Sequence, residues 1–194
     1  MTAAPKSLAT FEALLALEQT DPEGRYEIIA GEVVPKAGPS GEHADAQSGL
    51  AALIRPPFHR QPGGSDGPGG WWIYTECDVE LAQHDVVVPD VAGWRRERVP
   101  ERPTGRPVRI RPDWVCEIVS PSNAKRDTIE KVEIYRRHGV PHYWILDPVQ
   151  ETLLVYRLTP DGWLLVLTAG RGDVVRAEPF DAIELRVGLL FGDE

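Results

Sequence analysis

The sequence predicts an α+β domain with a mixed β-sheet, and three observations favour this class. The chain has 194 residues, of which 42% are hydrophobic, which is enough for one domain with a sizeable core. Short apolar runs of strand length outnumber a few segments of helical period. The sequence shows no internal repeat, no low-complexity tract and no clear boundary, so we expect residues 1–194 to form a single domain.

The first half of the chain is predicted to contain two helices, a hairpin and a group of short strands. Apolar spacing predicts the first helix over residues 8–18, and Ala30-Gly31 indicate the turn of a hairpin. Ser40 is a suitable N-cap for a second helix, which we expect to end where the following Pro- and Gly-rich segment begins. Two or three short strands follow over residues 71–94, and Pro89 marks a strand end or an edge.

The second half is predicted to combine further strands with one more helix. A buried strand is expected around residues 114–119, followed by a turn at Pro121-Ser122-Asn123. A helix is expected from about Lys125 to His138, where Gly139 ends it. Pro160-Asp161-Gly162 indicate the turn of a late hairpin. The remaining strand segments, in order, are HYWILD, TLLVYRL, WLLVLT and DAIELRVGLLF, the last as one strand or a strand pair.

Composition argues against several classes of protein. No run of 18 apolar residues occurs, so we expect no membrane span, and the N-terminal segment lacks the pattern of a signal peptide. Cys77 and Cys116 lie in apolar or strand-like runs, which is typical of reduced thiols in a cytoplasmic protein. The net charge of −9 argues against indiscriminate binding to nucleic acid.

Positive charge is concentrated in one part of the chain. Residues 95–137 contain 12 of the 21 Lys and Arg residues and 7 acids, so this segment carries +5 and the remainder −14. Seven arginines lie between Arg95 and Arg111 alone. Such a segment is either a solvated loop or a patch that binds a polyanion, and the sequence leaves both open.

Two carboxylates occupy positions where apolar strands rarely place them. Glu117 lies inside the buried strand WVCEIV, and Asp90 ends the Val-rich segment DVVVPD. A buried carboxylate needs a partner charge, hydrogen bonds or a metal ion. If the two acids converge at one sheet edge, they repel each other unless a proton or cation lies between them, and such oxygen ligands suit Mg²⁺ or Mn²⁺. The alternative is that both are structural acids at strand ends.

Read in order, these segments resemble a known family. VVVPDVAGW followed by PDWVCEIVSPSN is similar to the PD-(D/E)XK nuclease signature. With YEIIAGEVV, RDTIEKVEIYRRHGVPHYWILDP and LLVYRL, the chain resembles the Uma-two family of restriction-endonuclease-like proteins over roughly residues 8–190. The resemblance implies a restriction-endonuclease-like core in which helices flank a mixed sheet, and a metal-dependent nuclease activity on DNA.

The resemblance also implies roles for individual residues. Asp90 would be the motif aspartate and Glu117 the motif glutamate, and both would bind Mg²⁺ or Mn²⁺ together with the backbone carbonyl of Ile118. The motif lysine is missing because Val119 stands in its place, and Lys131 on the following helix would replace it. Its ammonium group would stabilise the attacking hydroxide or the phosphate charge. The alternative for Lys131 is a solvated lysine on a helix surface.

Further residues are secondary candidates. His43, at the start of the second helix, is expected either behind the acids or as a proton acceptor. Glu27 alternates with apolar neighbours in a strand and is expected to face the same pocket. For both, a structural role is the alternative. Arg95, Arg96 and Arg98 are the candidates for salt-sensitive contacts with the DNA backbone.

The hypothesis drawn from the sequence is therefore a magnesium-dependent endonuclease that hydrolyses DNA phosphodiester bonds. Cleavage of both strands would suit a homodimer facing a twofold-symmetric duplex. Two alternatives remain open, because a fold does not determine a function. One is a binding module that kept the fold and lost the chemistry, which the valine at position 119 and the acidic net charge both favour. The other is a regulatory protein that acts through protein contacts.

Overall fold

The computed structural model describes residues 8–65, 67–120 and 129–194. Its helices are α1 (Phe11–Thr20), α2 (Gly41–Phe58) and α3 (Lys131–Arg137), with a 3₁₀ helix at Val187–Phe191. Its strands are β1 (Tyr26–Ile29), β2 (Glu32–Pro35), β3 (Trp71–Thr75), β4 (Val79–Ala82), β5 (Asp85–Val87), β6 (Val91–Arg95), β7 (Trp114–Ile118), β8 (His142–Asp147), β9 (Thr152–Thr159), β10 (Gly162–Gly170), β11 (Val174–Val175) and β12 (Leu185–Arg186). Among the described residues, no helix has the length and apolar character needed to cross a membrane.

The main sheet has six strands in the order β10-β9-β8-β7-β6-β3. Strands β7 and β8 run parallel, and every other neighbouring pair in this sheet is antiparallel. The predicted α+β class with a mixed sheet is thus confirmed. Strands β6 and β7, which carry the two motif segments, are neighbours inside this sheet and not outer strands.

A second, four-stranded sheet has the order β2-β1-β5-β4 and is antiparallel. The predicted hairpin is confirmed, because Ala30 and Gly31 turn the chain with φ of 51° and 81°. The chain passes from β5 in this sheet to β6 in the main sheet through residues 88–90 alone. This short connection holds the end of the second sheet against the start of β6.

Side chains alternate between the two faces of the main sheet, and a helix covers each face. On one face, Trp114 and Trp144 pack with Leu50 of α2 and Leu190 of the 3₁₀ helix. On the other face, a cluster forms against α3, and it contains Trp94, Val115, Val119, Ile134, Tyr135 and Tyr143. In β7, Trp114 lies on the α2 face and Val115 on the α3 face. Glu117 is two residues after Val115 and therefore lies on the α3 face.

Several element boundaries differ from the predictions. Helix α1 begins at Phe11, and four strands instead of two or three lie between Trp71 and Arg95. Helix α2 continues through the two prolines to Phe58, because Phe58 is buried against Phe180, with ring centroids 4.8 Å apart. The predicted turn at residues 121–123 and the start of the third helix at residues 125–128 lie outside the described residues.

The tail also differs from the predicted strand or strand pair. It forms the two-residue strand β12 and then the 3₁₀ helix. Val187 and Leu190 are both fully buried, and their spacing of three residues matches the period of a 3₁₀ turn. The hairpin around residues 160–162 is confirmed by the pairing of β9 with β10. Both cysteines are free thiols, as predicted.

Candidate active site

Asp90 and Glu117 meet because β6 and β7 are antiparallel neighbours. Val91 is opposite Cys116 in this register, so Asp90, directly before β6, lies beside the end of β7. Asp90 Oδ2 accepts a hydrogen bond of 2.7 Å from the backbone N–H of Ile118. Asp90 is 2% exposed and Glu117 is 1% exposed. The expected convergence is therefore present, at one end of two neighbouring interior strands.

Glu117 is balanced by a buried lysine. Lys131 Nζ lies 3.0 Å from Glu117 Oε2, and the hydroxyl of Tyr135 donates to Glu117 Oε1. Lys131 and Tyr135 are four residues apart and therefore share one face of α3. Lys131 is 1% exposed, so the alternative of a solvated surface lysine is wrong.

Glu27 adds a third buried carboxylate beside the same lysine. Its Oε1 lies 2.9 Å from Lys131 Nζ and accepts a 2.7 Å hydrogen bond from the backbone N–H of Val88. Its Oε2 is buried and finds no hydrogen-bond partner among the described residues. The strand β1 thus brings Glu27 to the end of β5, where the chain crosses to Asp90.

His43 contacts Asp90 from the first turn of α2. The Ser40 hydroxyl accepts a 3.3 Å hydrogen bond from the backbone N–H of His43, which confirms the predicted N-cap and sets where the ring enters the core. His43 Nε2 lies 3.1 Å from Asp90 Oδ2. Because an ionised carboxylate can only accept, Nε2 carries the hydrogen. Nδ1 is buried and has no hydrogen-bond partner within the described ranges.

Lys36 is a second lysine of the site, and sequence reasoning missed it. Its Nζ lies 2.8 Å from Asp90 Oδ1 and donates to the carbonyl of Val88 at 2.6 Å. Its side chain is 7% exposed. In the sequence, Lys36 stands between a short strand and the Gly38-Pro39 loop. This context does not distinguish it from a lysine on the surface.

Two further polar residues near Asp90 were also missed. Gln47, one helical turn after His43, donates to the backbone carbonyl of Asp90 at 2.8 Å and to Glu76 Oε1 at 3.1 Å. Glu76 Oε2 lies 3.4 Å from Lys36 Nζ and also pairs with Arg25. The spacing of four between His43 and Gln47 on a helix was the one signal in the sequence that pointed to a shared polar face.

The charges of these groups stabilise one another. Burial raises the pKa of Asp90, but the hydrogen bond from His43 and the charges of Lys36 and Lys131 outweigh it and hold that pKa well below the usual range. Burial and Lys131 lower the pKa of Lys36, but Asp90 and Glu117 outweigh them and raise it overall. Asp90 and Lys36 therefore form an ion pair at neutral pH.

Tyr135 is a donor and not a nucleophile. Burial first, and then the charge of Glu117, raise the pKa of its hydroxyl well above the usual value. Neither thiol is activated, because burial raises the pKa of Cys77 to about 12 and that of Cys116 well above its usual value. The remaining candidates for chemistry at this site are its carboxylates, its lysines and His43.

The donor set fits a hard divalent cation. Asp90, Glu117 and Ile118 line a small cavity of about 10 Å³, together with His43 and both lysines. Carboxylate and carbonyl oxygens are the ligands of Mg²⁺ and Mn²⁺. Glu27 Oε2 and His43 Nδ1 are buried without a hydrogen-bond partner among the described residues, so a bound water or ion could satisfy them. No three His, Cys, Asp or Glu side chains in the described parts of the chain are already arranged around a common ion position.

The structure does not bring the candidate arginines to this end of the sheet. Arg95 ends β6, five residues after Asp90, which corresponds to about 17 Å along an extended strand. Arg95 lies over the ring of Trp71 at 4.6 Å, and Arg96 over that of Trp72 at 3.5 Å. These contacts are at the opposite end of β6 from the acids.

The Arg-rich segment is also partly neutralised by acids from other elements. Arg98 Nε lies 2.7 Å from Asp113 Oδ1, and Arg109 Nε lies 2.8 Å from Glu80 Oε2. Arg106 pairs with Glu18 and Asp78. Asp113 directly precedes β7. Arg95 has a longer acidic contact than these three arginines, 4.0 Å to Glu97.

In this mixed sheet, an aspartate and a glutamate meet at the ends of two neighbouring strands, and the next helix adds a buried lysine. This arrangement is that of a restriction-endonuclease-like protein. The family model Uma2, described as "Putative restriction endonuclease", matches residues 11–188, and the chain belongs to this family. The chain is also similar to a solved structure, the "putative nuclease belonging to DUF820" from Anabaena variabilis ATCC 29413. The two share 25% identity and a TM-score of 0.71, over 94% of this chain and 97% of that one. No curated protein matches the chain.

Proposed function

We propose that this protein is a divalent-metal-dependent endonuclease that hydrolyses phosphodiester bonds in DNA. The observation that carries the proposal is the meeting of Asp90 and Glu117 at one buried end of β6 and β7, with Lys131 3.0 Å from Glu117. Membership of a nuclease family and the similar solved nuclease support it. Val119 leaves the usual lysine position empty of charge, since it is buried in the apolar cluster against α3.

The residues of the site would divide the work as follows. Asp90 and Glu117, with the backbone carbonyl of Ile118, would hold Mg²⁺ or Mn²⁺. When bound, such an ion neutralises phosphate charge and lowers the pKa of a bound water. His43 donates to Asp90 and thereby orients its carboxylate. Lys131 would place a positive charge beside the phosphate as negative charge develops there.

Substrate binding would use a different part of the surface from hydrolysis. Arg95, Arg96 and Arg98 would contact the DNA backbone about 17 Å from Asp90 along β6. Because a duplex is twofold symmetric, cleavage of both strands would suit a homodimer, in which each copy of the chain cuts one strand. Sedimentation or light scattering in the presence of duplex DNA tests this part: a monomer bound to cleaved duplex would contradict it.

The test of the proposed function combines metal binding and cleavage. Mn²⁺ and Mg²⁺ are titrated by calorimetry into wild type, Asp90→Asn and Glu117→Gln, and nicking of a supercoiled plasmid is followed in the same samples. We expect both variants to lose metal binding and nicking. The matched control is Asp147→Asn. Asp147 also ends a strand, β8, next to β7, but its carboxylate accepts hydrogen bonds from the N–H groups of Val149 and Gln150 and is not one of the proposed metal ligands. Unchanged nicking in both site variants would contradict the proposal.

One observation favours a second candidate function, a nuclease-fold module that binds nucleic acid without cutting it. Each carboxylate oxygen of Asp90 and Glu117 already has a protein donor or ammonium group beside it. Such a saturated site is stable without a metal ion. The result that would favour this module over the enzyme is a wild type that binds duplex DNA but does not bind the metal ion. It would also cut neither plasmid nor single-stranded DNA.

A further inference from the structure

We propose that Lys36 is a tethered cation that holds an Asp90 oxygen needed by the divalent ion, so that metal binding requires its ammonium group to leave. This inference rests on the proposed function, because it concerns the same metal site. It makes Lys36 a positioning residue that sets the metal affinity of the site.

The surroundings of Lys36 Nζ are those of a small cation. Three oxygens converge on it: Asp90 Oδ1 at 2.8 Å, the carbonyl of Val88 at 2.6 Å and Glu76 Oε2 at 3.4 Å. An ammonium group has three hydrogens, so each oxygen can accept one. Carboxylate and carbonyl oxygens are also the ligands that Mg²⁺ and Mn²⁺ take, so the lysine and the ion compete for the same type of ligand.

Charge balance favours exchange over coexistence. Among the described residues, the buried core of the site contains three carboxylates, those of Glu27, Asp90 and Glu117, and the two ammonium groups of Lys36 and Lys131, which leaves one negative charge in this set. A divalent ion added to this set would leave one uncompensated positive charge in a buried place, which is unfavourable. If Lys36 withdraws, the three carboxylates, Lys131 and the ion are neutral together.

The two lysines differ in how firmly the fold holds them. Lys131 stands on α3 between Glu27 and Glu117 and is 1% exposed. Lys36 directly follows β2, and the next residues, Ala37, Gly38 and Pro39, line the small cavity. Gly38 is exposed and has open space around it. The side chain of Lys36 can therefore turn towards solvent without disturbing a helix or a strand.

The test measures metal affinity directly, without relying on activity. Mn²⁺ is titrated by calorimetry into wild type, Lys36→Met and Lys36→Gln, and the melting temperature of each is recorded with and without Mn²⁺. The glutamine variant keeps a polar donor should the methionine variant fail to fold. We expect both variants to bind Mn²⁺ about tenfold or more tightly than wild type, and their melting temperatures to rise more on adding Mn²⁺.

Arg25→Met is the matched control for a general loss of positive charge. Arg25 pairs with Glu76, which also contacts Lys36, but no contact of Arg25 with Asp90 is observed among the described residues. We expect its affinity for Mn²⁺ to change by less than about threefold. An equal gain in Arg25→Met and Lys36→Met would overturn the tethered-cation role, because it would trace the effect to net charge.

The remaining outcomes separate this inference from the proposed function. If wild type binds Mn²⁺, Asp90→Asn does not, and the Lys36 variants bind as wild type or more weakly, the inference is wrong and the metal site stands. If wild type, Lys36→Met and Lys36→Gln all fail to bind Mn²⁺ or Mg²⁺, the metal requirement of the proposed function is wrong, and the inference falls with it.

Discussion

Single buried residues decide the electrostatics of this site. Lys131 lies within 3.0 Å of both Glu27 and Glu117, and all three side chains are at most 2% exposed. A buried ion pair contributes little net stability, but removing one partner leaves an uncompensated charge in the interior. The lysine is therefore structural as well as a candidate for catalysis, and its two roles need separate measurements.

Lys131→Met is expected to lower the free energy of unfolding by about 3–5 kcal/mol in the absence of metal, because two buried carboxylates lose their shared cation. Urea denaturation followed by circular dichroism measures this. Arg136→Met is the matched control on the same helix, since Arg136 pairs with Glu133 at the surface. That control is expected to change stability by less than about 0.5 kcal/mol. Equal urea midpoints for the two variants would contradict the assignment.

His142 is expected to make stability depend on pH, at pH values above those at which carboxylates titrate. Burial, and then the charges of Arg95 and Arg157, lower its pKa to about 4, whereas an unfolded histidine has a pKa of about 6.5. The unfolded state therefore binds the proton more tightly between these values. The stabilisation is fully present above about pH 6.5 and is lost as pH falls towards 4.

Melting temperatures of wild type and His142→Asn at pH 7 and pH 5 measure this effect. We expect wild type to lose more stability than the variant between the two pH values. Part of the loss will remain in the variant, because burial and Arg55 also lower the pKa of His59. The same loss in both proteins would show that His142 does not carry the effect.

At the scale of elements, helix α2 connects the site to the 3₁₀ helix at Val187–Phe191. Its N-terminus holds His43 against Asp90, and its middle packs on the 3₁₀ helix. The contact is close at Gly49, where an added Cβ would lie 2.9 Å from the backbone carbonyl oxygen of Leu189. The glycine therefore sets the distance between the two helices.

Gly49→Ala is expected to destabilise the protein although alanine is the better helix former. The gain in helix propensity is about 1 kcal/mol, whereas overpacking against a backbone costs about 1–3 kcal/mol. Gly41→Ala is the matched control in the same helix, because the space around Gly41 is open, and it is expected to leave stability unchanged or slightly raised. Thermal melts compare them, and a stabilised Gly49→Ala would refute the close contact.

At the scale of the whole molecule, the net charge of a segment is a poor guide to the charge of the surface it forms, because ion pairs with distant elements neutralise part of it. The segment 95–137 carries +5 in a chain of −9, yet acids from α1 and β4 and from the start of β7 neutralise several of its arginines. If the protein binds DNA as proposed, binding would depend on arginines that acids do not neutralise, and Arg95 is a candidate because its contact with Glu97 is 4.0 Å long.

Arg95→Ala is expected to weaken duplex binding for any sequence and to reduce the salt slope of log K by about 1, since one phosphate contact is lost. Fluorescence anisotropy in EDTA over a series of salt concentrations measures the slope while cleavage is suppressed. The matched control is Arg109→Ala, because Glu80 already binds Arg109. Equal slopes for Arg95→Ala and wild type would remove Arg95 from the interface.

The sequence by itself determined most of the elements and the two acids, because those signals are local. The turn at Ala30-Gly31 and the cap at Ser40 follow from backbone preferences of a few residues. The placement of Asp90 and Glu117 follows from strand periodicity and from the motif that surrounds them. For such features, neighbouring residues contain the necessary information.

Only the tertiary structure decided which cations face the acids. Lys36 reaches Asp90 across 54 residues, because the second sheet packs its hairpin beside the crossing from β5 to β6. Arg95, although near Asp90 in the sequence, lies at the far end of the same strand. The physical reason is that side-chain pairing depends on sheet register and on packing between sheets, which no local pattern of residues specifies.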